Sequence, residues 1–223
     1  MSCIMYGMSG GGFTAETIVF KGLGTDILCA VLGLLFSLFF GKEYSNNTIR
    51  NKLCYGENRY KTAACFFLES VIITLIFAAV SIVSSLVFGS VFGSFEFSSD
   101  FFPKLFCQLA IIIAFSILIT AVVISSKNMK AGFMVTLMIS VIFTAISYAL
   151  PSLAIKYPAA EYACRSLYMV VSTMLISSSD GVYHIGTQFA FENIYSNALL
   201  LALIYIVLSV GITMVAVKKQ SYK

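Results

Sequence analysis

The chain has 223 residues, of which 59% are hydrophobic and only 11% are charged, and its mean hydropathy is +0.94. Soluble domains carry about 25% charged residues, so this composition excludes a water-soluble globule and indicates one membrane domain over residues 1–223. The net charge of +4 is not gathered into a basic patch with interleaved aromatic residues, so nucleic acid is not predicted as a partner.

Residues 1–25 are rich in glycine and serine and have only a weak pattern. They lack the basic start, apolar core and small-residue cleavage site of a signal peptide. Gly7-Met8-Ser9-Gly10-Gly11 matches the G-x-S-x-G elbow of hydrolases, but that motif needs a strand before it and a helix after it, and the sequence predicts neither. We interpret residues 1–25 as an external N-terminal loop.

The first predicted span is the uncharged run from Ile27 to Phe40. Its fourteen residues cover about 21 Å as a helix, which is short of the ~30 Å hydrocarbon core. Residues 22–25 can extend the helix, and the long side chain of Lys42 can reach toward the headgroups. Together these additions make a span.

The polar segment that follows, residues 41–62, is the most polar part of the chain. It contains five of the fourteen Lys and Arg residues: Lys42, Arg50, Lys52, Arg59 and Lys61. Short basic loops between two spans are retained in the cytoplasm. The sequence therefore predicts that this loop is cytoplasmic.

The same segment has the features of a short capped helix. The run from Asn46 to Thr48 offers good N-terminal capping residues, and Gly56 suits the left-handed position just beyond a helix end. A helix of about two turns fits between them, with Ile49 and Leu53 on one face. So short a helix is not stable alone in water. The pattern leaves two interpretations open, a helix docked on a partner and a solvated loop.

The second, third and fourth spans are predicted at Ala63 to Gly93, at Lys104 or Leu105 to Ser125, and at Ala131 to Leu150. The second and fourth carry small residues four apart, which let a neighbouring helix approach closely in lipid. These predicted helix-packing residues are Ser81, Ser85, Gly89 and Gly93 on the second span and Gly132, Thr136, Ser140 and Thr144 on the fourth.

The longest segment without a predicted span is the external loop 151–196. Within it, Ala159 to Ile176 is semi-apolar, but Glu161 and Arg165 form an i,i+4 pair, and the charge-free part has only eleven residues. That length suits an interfacial or re-entrant helix better than a span. With a fifth span at Asn197 to Val217, the predicted fold class is an all-α polytopic membrane helix bundle of five transmembrane helices plus an external interfacial or re-entrant helix.

This topology distributes the basic residues unequally between the two sides. Ten are cytoplasmic: Lys42, Arg50, Lys52, Arg59, Lys61, Lys127, Lys130, Lys218, Lys219 and Lys223. Four are external: Lys21, Lys104, Lys156 and Arg165. The excess follows the positive-inside rule and predicts a multi-pass protein of the cell membrane with a cytoplasmic C-terminus. An external N-terminus without a preceding span is awkward to insert, so we expect that a first span is missing from this sequence.

Glu69 is the ionisable residue that lies clearly inside a predicted span. An intramembrane carboxylate is a functional candidate by default. The alternative is a glutamate at the cytoplasmic edge, paired with Arg59 or Lys61. A single such group cannot form a proton relay, which argues against an ion-coupled transporter.

No residue set for enzymatic chemistry is predicted. The six cysteines have no metal-ligand spacing and a lone histidine cannot build a usual zinc site, so no metal or other cofactor is expected. The G-x-x-x-x-G-K-[ST] phosphate loop does not occur. If ATP drives this protein, another polypeptide hydrolyses it.

Several positions of the polar segment form an ordered pattern: Glu43, Thr48-Ile49-Arg50, Gly56 and Arg59. This order resembles the first cytoplasmic loop of ABC transporter permeases of the second, export-type class, in which Glu is followed by Gly-Thr-Leu-Arg, then Gly or Pro, a small residue and Arg. Here Asn47 and Ile49 replace the usual Gly and Leu, and Asn58 stands where Ser or Thr is commonest. The spacing of the later spans extends the resemblance over residues 26–219.

The resemblance implies the permease subunit of an ATP-driven exporter. In that class two permeases, identical copies or paralogues, associate along their spans within the membrane lipid, and separate ATPase subunits dock beneath. A coupling helix from Thr48 to Tyr55 would sit in a groove of the ATPase. The residues implied at that contact are Glu43, Thr48, Arg50, Gly56 and Arg59.

The sparse charge of the spans suits an amphipathic or lipid-linked cargo, such as a peptide, a lipid or an antibiotic. Two alternatives come from other classes. One is a non-transporting membrane assembly or sensory protein that uses its small-residue faces to bind other helices. The other is a membrane-embedded enzyme, for which the sequence has no convincing residue set.

Overall fold

The structure is a computed structural model that describes the greater part of the chain. The described residues are 16, 19, 20, 23, 25–46, 58–92, 97–126, 129–154, 157, 162–164, 166–167, 170–172, 183–185, 189–191 and 193–219. Within them the helices are α1 (Thr25–Ser45), α2 (Arg59–Phe92), α3 (Phe101–Ser126), α4 (Met129–Ala154) and α5 (Ile194–Lys219). A short antiparallel hairpin, β1 (Tyr183–Ile185) and β2 (Phe189–Phe191), pairs His184 with Ala190.

The all-α membrane helix bundle predicted from the sequence is confirmed. Its five long helices occupy the positions of the five predicted spans. Among the described residues, α2, α3 and α5 are long and apolar enough to cross a membrane by length and composition. The three-residue strands of the hairpin lie in the segment 151–196 and were not predicted, because so short a pair leaves no periodic signal.

Helix α3 is the centre of the bundle. It packs against each of the other four helices, and 72% of its most apolar stretch is buried, against 17% for α2 and 28% for α5. The outer helices therefore keep broad apolar faces exposed on the surface of the bundle, including Leu68, Ile76 and Leu203. In a membrane such faces contact lipid and need no further cover.

Contacts between helices fix their relative directions. Tyr195, at the start of α5, donates from its hydroxyl to Asp100, just before α3, so these two helices run parallel. Phe20, before α1, packs against Phe101 at the start of α3, so α1 and α3 are parallel. Gly132, near the start of α4, lies against Val123 and Ser126 near the end of α3, so α4 is antiparallel to both. Ser37 of α1 meets Thr136 of α4 through their hydroxyl oxygens (3.4 Å). The bundle thus has two distinct ends.

We call them the basic end and the hairpin end. At the basic end α1 finishes, α2 begins, α3 finishes, α4 begins and α5 finishes; at the hairpin end each helix has its other terminus. The segment 41–62 and the end of α5 therefore belong to the same end. The segment between α4 and α5 starts and finishes at the opposite one.

Helix boundaries differ from the predicted spans by a few residues. Helix α1 continues to Ser45 and α2 begins at Arg59, so both ends of the polar segment are helical. Helix α4 continues past Pro151 to Ala154, because a proline removes one backbone donor and membrane helices tolerate that loss. Helix α5 begins just after Asn193, whose φ of 57° lies in the left-handed region that Asn tolerates.

Several described residues of the segment between α4 and α5 lie against the helices of the bundle. Its described residues include helical turns, and Cys164, Val171 and Ser172 are fully or almost fully buried. The hydroxyl of Tyr205, eleven residues into α5, donates to the carbonyl of Ser166. Eleven residues correspond to about 16 Å along a helix. This depth favours a re-entrant placement over an interfacial one.

Gly33 permits a close approach of α1 to α4, and Gly33→Ala tests it. An added Cβ would collide with Cγ2 of Thr136 and lie 3.3 Å from Cδ1 of Ile119. Alanine would gain about 1 kcal/mol of helix propensity, but an extra methyl in a packed core costs about 1–3 kcal/mol, and threonine is stiff at χ1. We expect Gly33→Ala to lower the midpoint of thermal unfolding in detergent.

The matched control is Gly211→Ala, because no atom lies within 4 Å of the added Cβ. That variant should unfold at the wild-type temperature or slightly above it. Adding Thr136→Ser to Gly33→Ala removes Cγ2, keeps the hydroxyl and should recover most of the loss. A Gly33→Ala protein as stable as the wild type would contradict the close approach of α1 and α4.

Candidate functional site

Asn58 is the capping residue of α2. Its side-chain oxygen accepts from the backbone N–H of Tyr60 (3.0 Å), and its carbonyl accepts from the N–H of Thr62 (3.1 Å). An N-terminal cap satisfies backbone donors that have no partner within the helix. Asn58 stands where the resembled permeases commonly have Ser or Thr, and all three residue types are good caps. Asn58 therefore caps α2 as Ser or Thr would at this position.

The other residues of the implied coupling contact are only partly described. Thr48, Arg50 and Gly56 lie outside the described residues. Arg59 is the first residue of α2, and its side chain is not among those described. Glu43 lies on the last turn of α1 and is half-buried.

Glu43 and Glu69 line one cavity of about 230 Å³, together with Phe39, Phe40, Ile72 and Ile73. The cavity lies between the end of α1 and the third turn of α2, at the basic end. Sequence analysis had assigned the two carboxylates to different roles. The tertiary structure brings them to the same apolar depression.

The structure tests one of the two ion pairs predicted for Glu69, the one with Lys61. Glu69 is exposed, and it makes no ion pair with Lys61, which is also exposed. The alternative partner is Arg59, whose side chain is not among those that the structure describes. Across the described ranges, no three His, Cys, Asp or Glu side chains come close enough to share a metal ion.

The small residues of α4 lie on its buried side. Gly132, Thr136 and Ser140 are buried, and the hydroxyl of Thr136 donates to the carbonyl of Gly132 (2.7 Å). Since that hydrogen is engaged, the contact of Thr136 with Ser37 is donated by Ser37. The side chain of Thr144 is not described.

The small residues of α2 are placed similarly. Ser85 and Gly89 are buried and Ser81 is half-buried, whereas Gly93 lies outside the described residues. Burial on this face is consistent with a helix neighbour there, and α2 packs against α3. The described members of both stripes thus lie toward the interior of the bundle.

A polar cluster at the hairpin end was missed by sequence analysis. The Lys104 ammonium lies 3.6 Å from a carboxylate oxygen of Glu16, and the two side chains are only 7% and 14% exposed. The backbone N–H and the hydroxyl of Ser98 donate to the same carboxylate, at 2.7 and 2.9 Å. A cation in the first turn of α3 opposes the helix dipole, and the neighbouring carboxylate offsets that cost.

Two further polar contacts join elements at this end. The amide of Gln108 and the hydroxyl of Ser172 exchange hydrogen bonds at 2.9 and 3.1 Å, and both residues are fully buried. The hydroxyl of Tyr195 donates to Asp100 at 3.2 Å. Gln108 was visible in the sequence as a polar interruption of the third span, and that interruption was the available signal for a buried partner.

The bundle of long apolar helices with polar contacts at both ends defines a multi-pass membrane protein. The profile of a family described as ABC-2 family transporter protein matches residues 5–147, which is more than half of the chain. The chain therefore belongs to the ABC-2 transporter family, and the resemblance drawn from the polar segment is confirmed.

Permeases of this family are membrane transport subunits that are not themselves enzymes, and they generally work with a separate ATPase subunit. No curated protein and no solved structure matches the chain.

The buried pair of Lys104 and Glu16 can be tested by a double-mutant cycle. Removing one member leaves the other charge or its donors unsatisfied, so we expect Lys104→Met and Glu16→Gln each to cost about 1–3 kcal/mol of stability. The double variant should lose less than the sum, because the two side chains act on each other. Thermal unfolding of the purified protein in detergent measures all three variants.

Lys61→Met is the control, because Lys61 is exposed and makes no ion pair with a described residue. It should change the unfolding temperature little. Strictly additive losses for Lys104→Met and Glu16→Gln would show that the two residues do not interact.

Proposed function

We propose that this protein is the permease subunit of an ATP-driven ABC exporter in the cell membrane. A separate ATPase subunit supplies the energy, and the spans move an amphipathic or lipid-like substrate. The family match over residues 5–147 is the observation that carries this proposal. A second copy of the chain or a paralogue completes the transporter.

The distribution of lysines supports a cytoplasmic basic end. Lys42, Lys61, Lys130 and Lys218 lie at this end on four different helices, and all are exposed. Among the described residues, the lysine of the hairpin end is Lys104, and it is buried in an ion pair. Exposed cations retained on one side follow the positive-inside rule. Residues 1–25 and 151–196 are accordingly proposed to lie outside.

The segment 41–62 is the proposed coupling loop, with Glu43, Thr48, Arg50, Gly56 and Arg59 at the ATPase contact. Both flanks of the segment are helical: α1 continues through Ser45, and Asn58 caps the start of α2. Because packed helices shift as units, a push on the intervening residues would pass to two helices at once. Both of those helices pack against α3.

Glu69 is proposed as an intramembrane polar site of the transport subunit. It shares an apolar cavity with Glu43, the first residue of the proposed ATPase contact. An amphipathic substrate with a cationic group would find both apolar surface and negative charge there. The cavity also lies beside the loop that the ATPase is proposed to move.

Arg50→Glu and Gly56→Val test the coupling loop. Losing one charge-assisted hydrogen bond costs about 1.5–3 kcal/mol, and reversing the charge adds repulsion. Valine is a poor fit for a left-handed helix end. We expect both variants to retain at most about a tenth of the wild-type ATPase in co-purification from membranes, since 1.4 kcal/mol is a factor of about ten.

The control is Tyr157→Glu, which adds a carboxylate at an exposed site next to the far end of α4. It should leave ATPase co-purification and the amount of protein in the membrane unchanged. If Arg50→Glu and Gly56→Val bind the ATPase as well as the wild type, the segment is a solvated linker. Co-purification with a different partner and no ATPase would instead favour a non-transporting assembly or sensory protein.

Cysteine labelling tests the proposed orientation. In a variant whose six native cysteines are replaced by alanine, single cysteines are introduced at Asn58, Lys218 and Tyr157, all of which are exposed. An impermeant thiol reagent applied to intact cells should label only the cysteine at position 157. The other two should react only after the membrane is opened. Labelling of position 58 in intact cells would show that the proposed orientation is inverted.

A further inference from the structure

A groove between α2 and α5 lies at the basic end of the bundle. One face of α2 from Ala64 to Ile72 forms one wall, and Val210 and Met214 of α5 form the other. Its volume is about 400 Å³, within the range of about 300–1,000 Å³ that is typical of small-molecule pockets. The side chains that line it are all apolar, so the groove itself suits a hydrocarbon chain.

Two lysines continue the walls of this groove toward the end of the bundle. Lys61 lies three residues before Ala64 on α2, and Lys218 lies four residues after Met214 on α5. Spacings of three and four residues place side chains on the same helix face. Both lysines are exposed, and neither forms an ion pair with a residue that the structure describes. The groove thus joins an apolar channel to a positively charged mouth.

We propose that this groove binds an anionic phospholipid, with an acyl chain between α2 and α5 and the phosphate held between Lys61 and Lys218. Long lysine side chains place their ammonium groups at the headgroup level while their methylenes stay in apolar surroundings. The inference rests on the groove and the two lysines and is independent of the proposed transport activity.

A second copy of the chain would be a poorer occupant on charge grounds. Of the acidic side chains described near this end, Glu69 lies eight residues beyond Lys61 on α2, about 12 Å deeper along the helix. In a dimer with its axis along the membrane normal, the copy's Glu69 keeps that depth and is not level with the lysines, so a pair would require both side chains to be fully extended. Glu43 is half-buried and already has an interaction partner. A lipid phosphate lies at the depth that the lysines reach.

Native mass spectrometry of the full-length protein in detergent tests the proposal, with phosphatidylglycerol and phosphatidylcholine of identical acyl chains added separately. The wild type should bind phosphatidylglycerol about 25-fold more tightly, because two lysines contribute. A basic residue near anionic headgroups contributes about fivefold. Lys61→Gln and Lys218→Gln should therefore each lower the preference about fivefold, and the double variant about 25-fold. Lys130→Gln, on α4 at the same end, should keep the wild-type preference.

The apolar part of the groove needs its own variant. Ala64→Phe places a ring in the groove and should reduce the binding of both lipids at least fivefold. Ala79→Phe, at an exposed position of α2 beyond the groove, should not.

Equal binding of the two lipids by the wild type would overturn the proposal, as would an unchanged preference in the double lysine variant. If Ala64→Phe leaves lipid binding intact and shifts the ratio of monomer to dimer, the groove is a protein contact and the proposal fails.

Discussion

Close approach of helix backbones to α3 is the constraint on which the bundle depends. In lipid, apolar side chains gain nothing by leaving the solvent, so helices associate through packing and hydrogen bonds. Gly33 of α1 lets Thr136 of α4 and Ile119 of α3 meet at one point. The buried face of α4 continues this contact through Gly132 and Ser140. Small residues therefore lie at the closest helix contacts, next to large buried residues such as Phe36 of α1 and Phe115 of α3.

Several buried hydroxyls of the described helices are satisfied within their own helix. The hydroxyls of Thr74, Thr120 and Thr213 each donate to the carbonyl four residues earlier. Such bonds give the hydroxyl hydrogen an acceptor within its own helix, so it needs no partner on another element. Other polar side chains join separate elements, among them Ser37 with Thr136 and Gln108 with Ser172.

The two ends of the bundle differ in the burial of their described lysines. At the hairpin end, Lys104 is neutralised by Glu16 and hidden from solvent. At the basic end, lysines on four helices remain exposed. The chain belongs to a family of transport subunits, and the exposed end offers the charged surface that a soluble partner or anionic headgroups require. Buried charge at the other end instead ties the N-terminal segment to the central helix.

The sequence by itself determined the family, the fold class and the position of each long helix, because uncharged runs and polar interruptions are local properties of the chain. Tertiary structure alone decided that Lys104 is paired with Glu16, that Glu43 and Glu69 share a cavity, and that Ser172 reaches Gln108. These helices are apolar on nearly every face, so periodicity could not tell a buried face from a lipid-facing one. Only the arrangement of four helices around α3 selected which polar groups meet, since residues far apart in the chain interact only after the helices have packed.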